Sequence, residues 1–212
     1  MYLAAPPSSY AGLHVLTDTT VCFSHLQLAA LALEGGCRVI QYRRKDGSTR
    51  ELVEEARAMV ELCNRYRAML IVNDRLDVAL AAAAHGLHVG QDDLPFDIAR
   101  KYLGAAKILG CSASSLEQAR QAVEQGADYI GYGPVFPTTS KDDASPVKGV
   151  EQLRKLRQEF HGPIIAIGGI TIDNVHQIVK SGVHGFAVIG AVCHQPDPEL
   201  ATRSLLQATI KR

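Results

Sequence analysis

The sequence predicts a single (β/α)8 barrel, and three observations carry that prediction. Short apolar runs alternate strictly with amphipathic segments, the alternation repeats eight times, and the 212 residues leave little chain for anything else. Strict alternation implies parallel strands, because each crossover returns the chain to start the next strand in the same direction. Eight units suit closure into a barrel of the TIM type; an open doubly wound sheet is the structural alternative. No shift in composition marks a second domain, so residues 1–212 are read as one barrel, with 1–10 as a loose lead-in.

The units follow in order. LHVLTD (13–18) is the first predicted strand. SHLQLAALALEGG (24–36) follows as a helix that opens at a Ser cap and stops at a glycine pair. RVIQYR (38–43) precedes TRELVEEARAMVELCNRYR (49–67), whose apolar residues at 52, 53, 56, 59, 60 and 63 have helical spacing. MLIVND (69–74) leads into RLDVALAAAAHG (75–86), and LHVG (87–90) into FDIARKYLG (96–104). KILGCS (107–112) is followed by SSLEQARQAVEQG (114–126), with a Ser cap, an early Glu117 and a closing Gly126. YIGYG (129–133) precedes a helix over GVEQLRKLRQEF (149–160). PIIAIGGI (163–170) precedes TIDNVHQIVKSG (171–182), and GFAVIGA (185–191) precedes PDPELATRSLLQATI (196–210). The runs are short, partly β-branched and bounded by breakers, as buried parallel strands should be. One connection is long: GPVFPTTSKDDASPVKG (133–149) is rich in Pro, Ser, Thr and charge. Loops of that length inside a domain are usually functional, so the stretch from Pro134 to Lys148 is expected to act as a lid.

Composition narrows the function. Twenty-two basic residues balance 22 acidic ones, which gives no support for nucleic-acid or membrane-surface binding. The five cysteines, Cys22, Cys37, Cys63, Cys111 and Cys193, form no Cys-x-x-Cys pair and read as small buried thiols rather than a disulfide or zinc framework. MYLAAPPSSY has neither a basic start nor a long apolar core, and no uncharged run is long enough to span a bilayer. A soluble cytoplasmic protein is expected; its oligomeric state is left open.

A (β/α)8 barrel places its chemistry at the carboxyl ends of the strands. After the second strand, Gln41, Arg43 and Lys45 stand two residues apart, so pleat alternation points them one way. Two cations converging there suit a phosphate or diphosphate. The third strand ends in Asn73 and Asp74, the fourth in Gln91, Asp92 and Asp93; if the chain stays extended after the fourth strand, Asp92 and Asp93 face opposite ways and only one can meet an ion shared with Asp74. Carboxylates on adjacent strand ends can share Mg2+, which takes one or two protein carboxylates plus phosphate oxygens; the plainer alternative is that Asp74 and Asp93 cap the following helices. Ser112 closes the fifth strand with a hydroxyl, and its neighbour Cys111 faces the other way and reads as packing. Thr138, Ser140 and Lys141 gather donors in the long loop. Gly168, Gly169, Ile189 and Gly190 end the last two strands, where glycines let a phosphate approach backbone N–H groups. The eight histidines lack ligand spacing and read as structural or surface residues. Two anionic subsites emerge, one with Mg2+ near the second to fifth strands and one near the seventh and eighth.

Taken together, QYRRK, VNDRLDVALAAAAHGLHVGQDDLP, LGCSAS, GADYIGYGPVFPTTSK, AIGGITIDNV and GVHGFAVIGAV resemble the thiamine phosphate synthase family, in family order from residue 13 onward. The resemblance implies a (β/α)8 transferase that joins a hydroxymethylpyrimidine diphosphate to a hydroxyethylthiazole phosphate by a dissociative mechanism. It implies that Gln41 and Asn73 meet the pyrimidine substrate, that Arg43, Lys45, Ser112 and Lys141 hold its diphosphate, and that Asp74 and Asp93 bind Mg2+. Thr138, Ser140, Gly169, Ile189 and Gly190 would meet the thiazole phosphate. The chain departs from the family where Ser140 replaces a frequent Thr and where Gly190 replaces a frequent Ser. The second change removes a side-chain donor. A related thiazole tautomerase tends to lose the Asn-Asp and Gly-Gln-x-Asp elements; here Asn73, Asp74, Gln91 and Asp93 are all present. A non-catalytic sensor of thiazole phosphate would need only one of the two anionic subsites.

Overall fold

The protein is described here by a computed structural model covering residues 10–19, 22–138 and 146–210. Eight strands are wound in sequence: β1 (Gly12–Leu16), β2 (Val39–Tyr42), β3 (Met69–Asn73), β4 (Gly86–Val89), β5 (Ile108–Ala113), β6 (Tyr129–Tyr132), β7 (Ile164–Ile167) and β8 (Gly185–Val188). Each pairs in parallel with the next, and β8 returns to β1 through the register Gly12↔Gly185 to Val15↔Val188, which closes the barrel. The open-sheet alternative is thereby excluded.

Strand parity sorts the apolar residues into two cores. Leu13, Val15, Leu70, Val72, Leu87 and Val89 join one large cluster with helix residues such as Leu28, Ala32, Leu52 and Met59. The alternate positions turn inward. There Leu16, Tyr129, Ile165 and Ala187 form a second, smaller cluster with Tyr10 and Ile189. Burying one large aliphatic side chain stabilises by roughly 1.5–3 kcal/mol, so the wall between strands and helices carries most of the fold. The interior is more polar: His14, Gln41, Asn73 and His88 are all buried among the strands.

The helices are α1 (His25–Glu34), α2 (Thr49–Arg65), α3 (Leu76–Ala81), α4 (Phe96–Leu103), α5 (Leu116–Glu124), α6 (Gly149–Glu159), α7 (Val175–Val179), α8 (Gly190–Cys193) and α9 (Pro198–Ile210). Capping boxes open α1 at Ser24 and Gln27 and α2 at Ser48 and Glu51, and Ser115 caps α5. A cap of this kind is worth about 1 kcal/mol. The helical spacing read over 49–67 holds, because α2 buries Leu52, Ala56, Met59, Leu62 and Cys63.

Several expectations need correction. Helix α7 is shorter than 171–182, because residues 171–174 form a turn in which the Thr171 N–H donates to Asn174 Oδ1 at 2.8 Å. The one-turn helix α8 was not anticipated; it precedes α9, which fills the eighth helical position. Strand β7 stops at Ile167 rather than running to 170, since Gly168 and Gly169 take φ values of +99° and +63°. Tyr10 does not belong to a loose lead-in: it is buried, its ring lies 5.5 Å from that of Tyr129, and its hydroxyl donates to the Asp128 carbonyl at 3.0 Å. Four cysteines are buried as expected, but Cys22 is exposed. Cys111 is a packing residue, its thiol pushed up to about 12 by burial. Among the described residues no helix is long and apolar enough to cross a membrane.

Candidate active site

The carboxyl ends of the strands surround a cavity of about 860 Å3. Most of the residues singled out in the sequence line it: Arg43, Lys45, Asn73, Asp74, Asp93, Ser112, Thr138, Gly169, Ile189 and Gly190. Gln41 lies one layer deeper, in a cavity of about 30 Å3 that it shares with His14, His88, Ser112 and Tyr129. His88 and Ser112 line both spaces, so the small cavity is the floor of the large one. Ser140 and Lys141 lie outside the described residues, as does the middle of the expected lid. The described ends of that loop are tied together, with the Lys148 N–H donating to the Pro134 carbonyl at 2.8 Å and Gly149 N–H to Val135 at 3.1 Å.

One half of the mouth is built from side chains. Arg43 and Lys45 follow β2. The Arg43 guanidinium stands 3.8 Å from the Asp18 carboxylate, which also meets His194 Nε2 at 3.1 Å. Asp74 follows β3 with φ +62°, a left-handed conformation that Asp adopts more readily than bulky residues. Its N–H donates to the His88 carbonyl at 2.7 Å, which fixes it to the neighbouring strand. The N-cap positions of α3 and α4 are Arg75 and Pro95 rather than Asp74 and Asp93, and neither N-cap makes a side-chain cap bond. Asp93 instead accepts the Gly90 N–H at 2.7 Å. Residues 91–94 turn, so the extended geometry expected after the fourth strand does not hold, and Asp92 and Asp93 both line the mouth. What separates them is the bond to Gly90 rather than strand parity. Gln91 binds this turn to β5, its amide donating to the Ser112 carbonyl at 2.5 Å.

The other half is built from backbone. At Gly169 a Cβ would stand 2.3 Å from the Pro137 carbonyl oxygen, and at Gly168 one would stand 2.5 Å from Pro134 Cα. The loop after β6 runs directly against these glycines, with Val135 N–H donating to Ile167 at 2.9 Å and Phe136 N–H to Gly168 at 3.0 Å. Their lack of side chains therefore serves loop packing as well as access to backbone. Gly190 opens α8, and a Cβ there would lie 3.2 Å from His194 Nδ1.

His88 and His194 also line the mouth, although their spacing in the sequence marks neither as a ligand. His88 was legible from parity: Leu87 and Val89 are apolar and face the helices, so the residue between them must face inward. His194 carried no such signal, because it reaches the mouth from the end of a helix that the sequence did not announce. His14 does fit the structural reading. Burial lowers its pKa to about 4, and its Nε2 meets the Tyr10 carbonyl at 2.6 Å.

Asp74 and Asp93 supply oxygen donors of the kind Mg2+ prefers, and two carboxylates suffice when phosphate oxygens and water complete the octahedron. The donor set thus fits the ion, although no group of three or more His, Cys, Asp or Glu side chains gathers among the described residues.

A closed barrel that collects its cations, carboxylates and glycine ends around one cavity at the strand carboxyl ends has the build of a (β/α)8 enzyme. Residues 13–192 match the model of the thiamine monophosphate synthase family. The thiamine-phosphate synthase of Salinibacter ruber is 46% identical over 201 residues, covering 94% of this chain and 88% of that one. That of Moorella thermoacetica is 48% identical over 186 residues, covering 88% and 89%. The solved thiamine phosphate pyrophosphorylase of Pyrococcus furiosus superposes with a TM-score of 0.89 at 40% identity, over 96% of this chain and 98% of that one. The chain belongs to the thiamine monophosphate synthase family and is a transferase of thiamine biosynthesis.

Proposed function

We propose that the mouth cavity joins hydroxymethylpyrimidine diphosphate to hydroxyethylthiazole phosphate, releasing diphosphate and forming thiamine phosphate. The observation that carries this reading is one cavity of about 860 Å3, within the range of small-molecule sites, lined on one side by Arg43, Lys45 and Ser112 and on the other by Gly168, Gly169 and Gly190, two surfaces of the kinds that suit anions. The side-chain half takes the diphosphate, through Arg43, Lys45, Ser112 and Lys141. Gln41 and Asn73 hold the pyrimidine beneath it. The backbone half takes the thiazole phosphate at Gly169, Ile189 and Gly190, with Thr138 beside it, and the family resemblance assigns Ser140 to the same phosphate.

The reaction is dissociative. The carbon–oxygen bond breaks and its electron pair leaves with the diphosphate. The pyrimidine-stabilised cation is then captured by the thiazole nitrogen, and that bond-forming step needs no general base. The protein's tasks are to stabilise charge on the leaving group and to keep water from the cation. Mg2+ held by Asp74 and Asp93 would neutralise part of the leaving charge. Arg43 and Lys45 do the same from β2, and Ser112 adds a hydroxyl donor. The protein is read as a soluble cytoplasmic enzyme acting on these two small molecules.

A mixing assay tests the reading. Both phosphorylated precursors with Mg2+ should give thiamine phosphate, and either precursor alone should not. Conversion of one thiazole tautomer into the other without condensation would favour the tautomerase. Binding of thiazole phosphate with no product from the mixture would favour the sensor.

A further inference from the structure

Three side chains from adjacent strands form a continuous chain through the floor of the site. The Tyr129 hydroxyl on β6 lies 3.1 Å from His88 Nδ1 on β4, and His88 Nε2 lies 3.0 Å from Ser112 Oγ on β5. Room for this chain is built into the barrel. A Cβ at Gly110 would stand 2.4 Å from the Tyr129 hydroxyl and 2.5 Å from His88 Nδ1, so the first bond occupies the volume of a missing side chain. At Gly131 a Cβ would stand 3.0 Å from His88 Cε1. The Tyr129 ring is held in turn by Tyr10 and by the edge of His14, each with centroids 5.5 Å away.

The direction of the chain follows from its buried end. Tyr129 is almost wholly shielded from solvent, and burial drives its phenol far above the ordinary range, so it keeps its proton. Its hydroxyl bonds His88 Nδ1 and no other group among the described residues. A buried O–H left undonated is costly, so the proton goes to Nδ1. An Nδ1 that accepts places the ring proton on Nε2, which then donates to Ser112 Oγ. With its oxygen accepting from His88, Ser112 has its own proton left to give to an anion in the mouth.

We propose that Tyr129 and His88 are positioning residues that hold the Ser112 hydroxyl as a donor toward the leaving diphosphate. Without the Tyr129 proton on Nδ1, the imidazole is free to take its other tautomer, and the serine turns its proton to Nε2 and presents only lone pairs to the anion. The proposal rests on the reading of Ser112 as a diphosphate contact, and two measurements separate the one from the other.

The first is a long-range nitrogen–proton NMR spectrum of ring-labelled protein without ligand. His88 should show the neutral Nε2–H tautomer, and Tyr129→Phe should redistribute it toward Nδ1–H. An Nδ1–H or doubly protonated ring in the unsubstituted protein, or no change in Tyr129→Phe, would overturn the chain whatever Ser112 binds. The second is calorimetric titration with inorganic diphosphate and Mg2+. Tyr129→Phe and Ser112→Ala should each weaken binding about tenfold, the scale of one hydrogen bond to a charged group. The double variant should lose no more than Ser112→Ala alone. Independent, multiplying losses would overturn the positioning role. An unchanged affinity in Ser112→Ala would overturn the diphosphate assignment, and with it the last link of the proposal.

Discussion

The two halves of the barrel mouth are built by different means. Around β2 to β5 the lining is polar side chains, Arg43, Lys45, Asp74, Asp93 and Ser112, several held by neighbours such as Asp18, Gly90 and His88. Around β7 and β8 it includes the glycines Gly168, Gly169 and Gly190, which bring no side chain. The difference teaches where a substitution will act. A side-chain site loses charge when a residue changes and keeps its shape. A backbone site keeps its chemistry and loses its shape, because at Gly168 and Gly169 a new Cβ has nowhere to go.

If the halves are separable, each should fail alone. The largest effect falls on the side-chain half as a whole. Chelation of Mg2+ should abolish turnover while leaving thiazole phosphate binding intact; undiminished turnover in metal-free buffer would break the assignment of that half.

Next come its two neighbouring aspartates. Asp93→Asn should lower turnover by at least about a hundredfold, equivalent to roughly 2.7 kcal/mol of transition-state stabilisation. Asp92→Asn should change it by only a few fold, since an exposed carboxylate contributes little. Steady-state kinetics at saturating Mg2+ check both. The reverse order would mean that the turn over residues 91–94 presents Asp92 to the ion.

On the backbone half, Gly169→Ala forces a φ of +63° on a side chain and drives its Cβ against the Pro137 carbonyl. The KM for thiazole phosphate should rise about tenfold or more, as expected for strain of 1–3 kcal/mol. Affinity for inorganic diphosphate, measured by calorimetry, should stay within about twofold of the unsubstituted protein. A parallel loss of both would show the halves to be one mechanical unit.

The smallest effect is a gain. Gly190→Ser adds the hydroxyl donor that this position lacks, against an exposed His194 ring that can give way. The KM for thiazole phosphate should fall by about two- to threefold, the worth of one modest hydrogen bond. An increase would indicate that the His194 ring cannot be displaced without cost.

Much of this site was legible as sequence because barrel geometry converts position into place. Once eight units are counted, each strand end is a known address, and parity says which residues turn inward. Position alone places Arg43, Asn73, Asp74, Ser112 and Gly169 at the mouth, and parity within β4 turns His88 inward as well. Alternation does not extend to Asp92 and Asp93, which lie in a turn that has no pleat.

By itself the sequence determined the alternation, the barrel, the inward faces and the chemical type of each strand end. These depend on periodicity and local propensity, which act over a few residues. Only the tertiary structure decided which side chains share space. The Tyr129–His88–Ser112 chain joins three strands, and its members meet because the interstrand register places Ser112 beside Gly131 and His88 beside Gly110. The burial of Tyr10 against Tyr129, the bond from Gly90 to Asp93 and the arrival of His194 at the mouth are likewise products of closure. Register and closure are set by packing summed over the whole barrel, and no single segment encodes them.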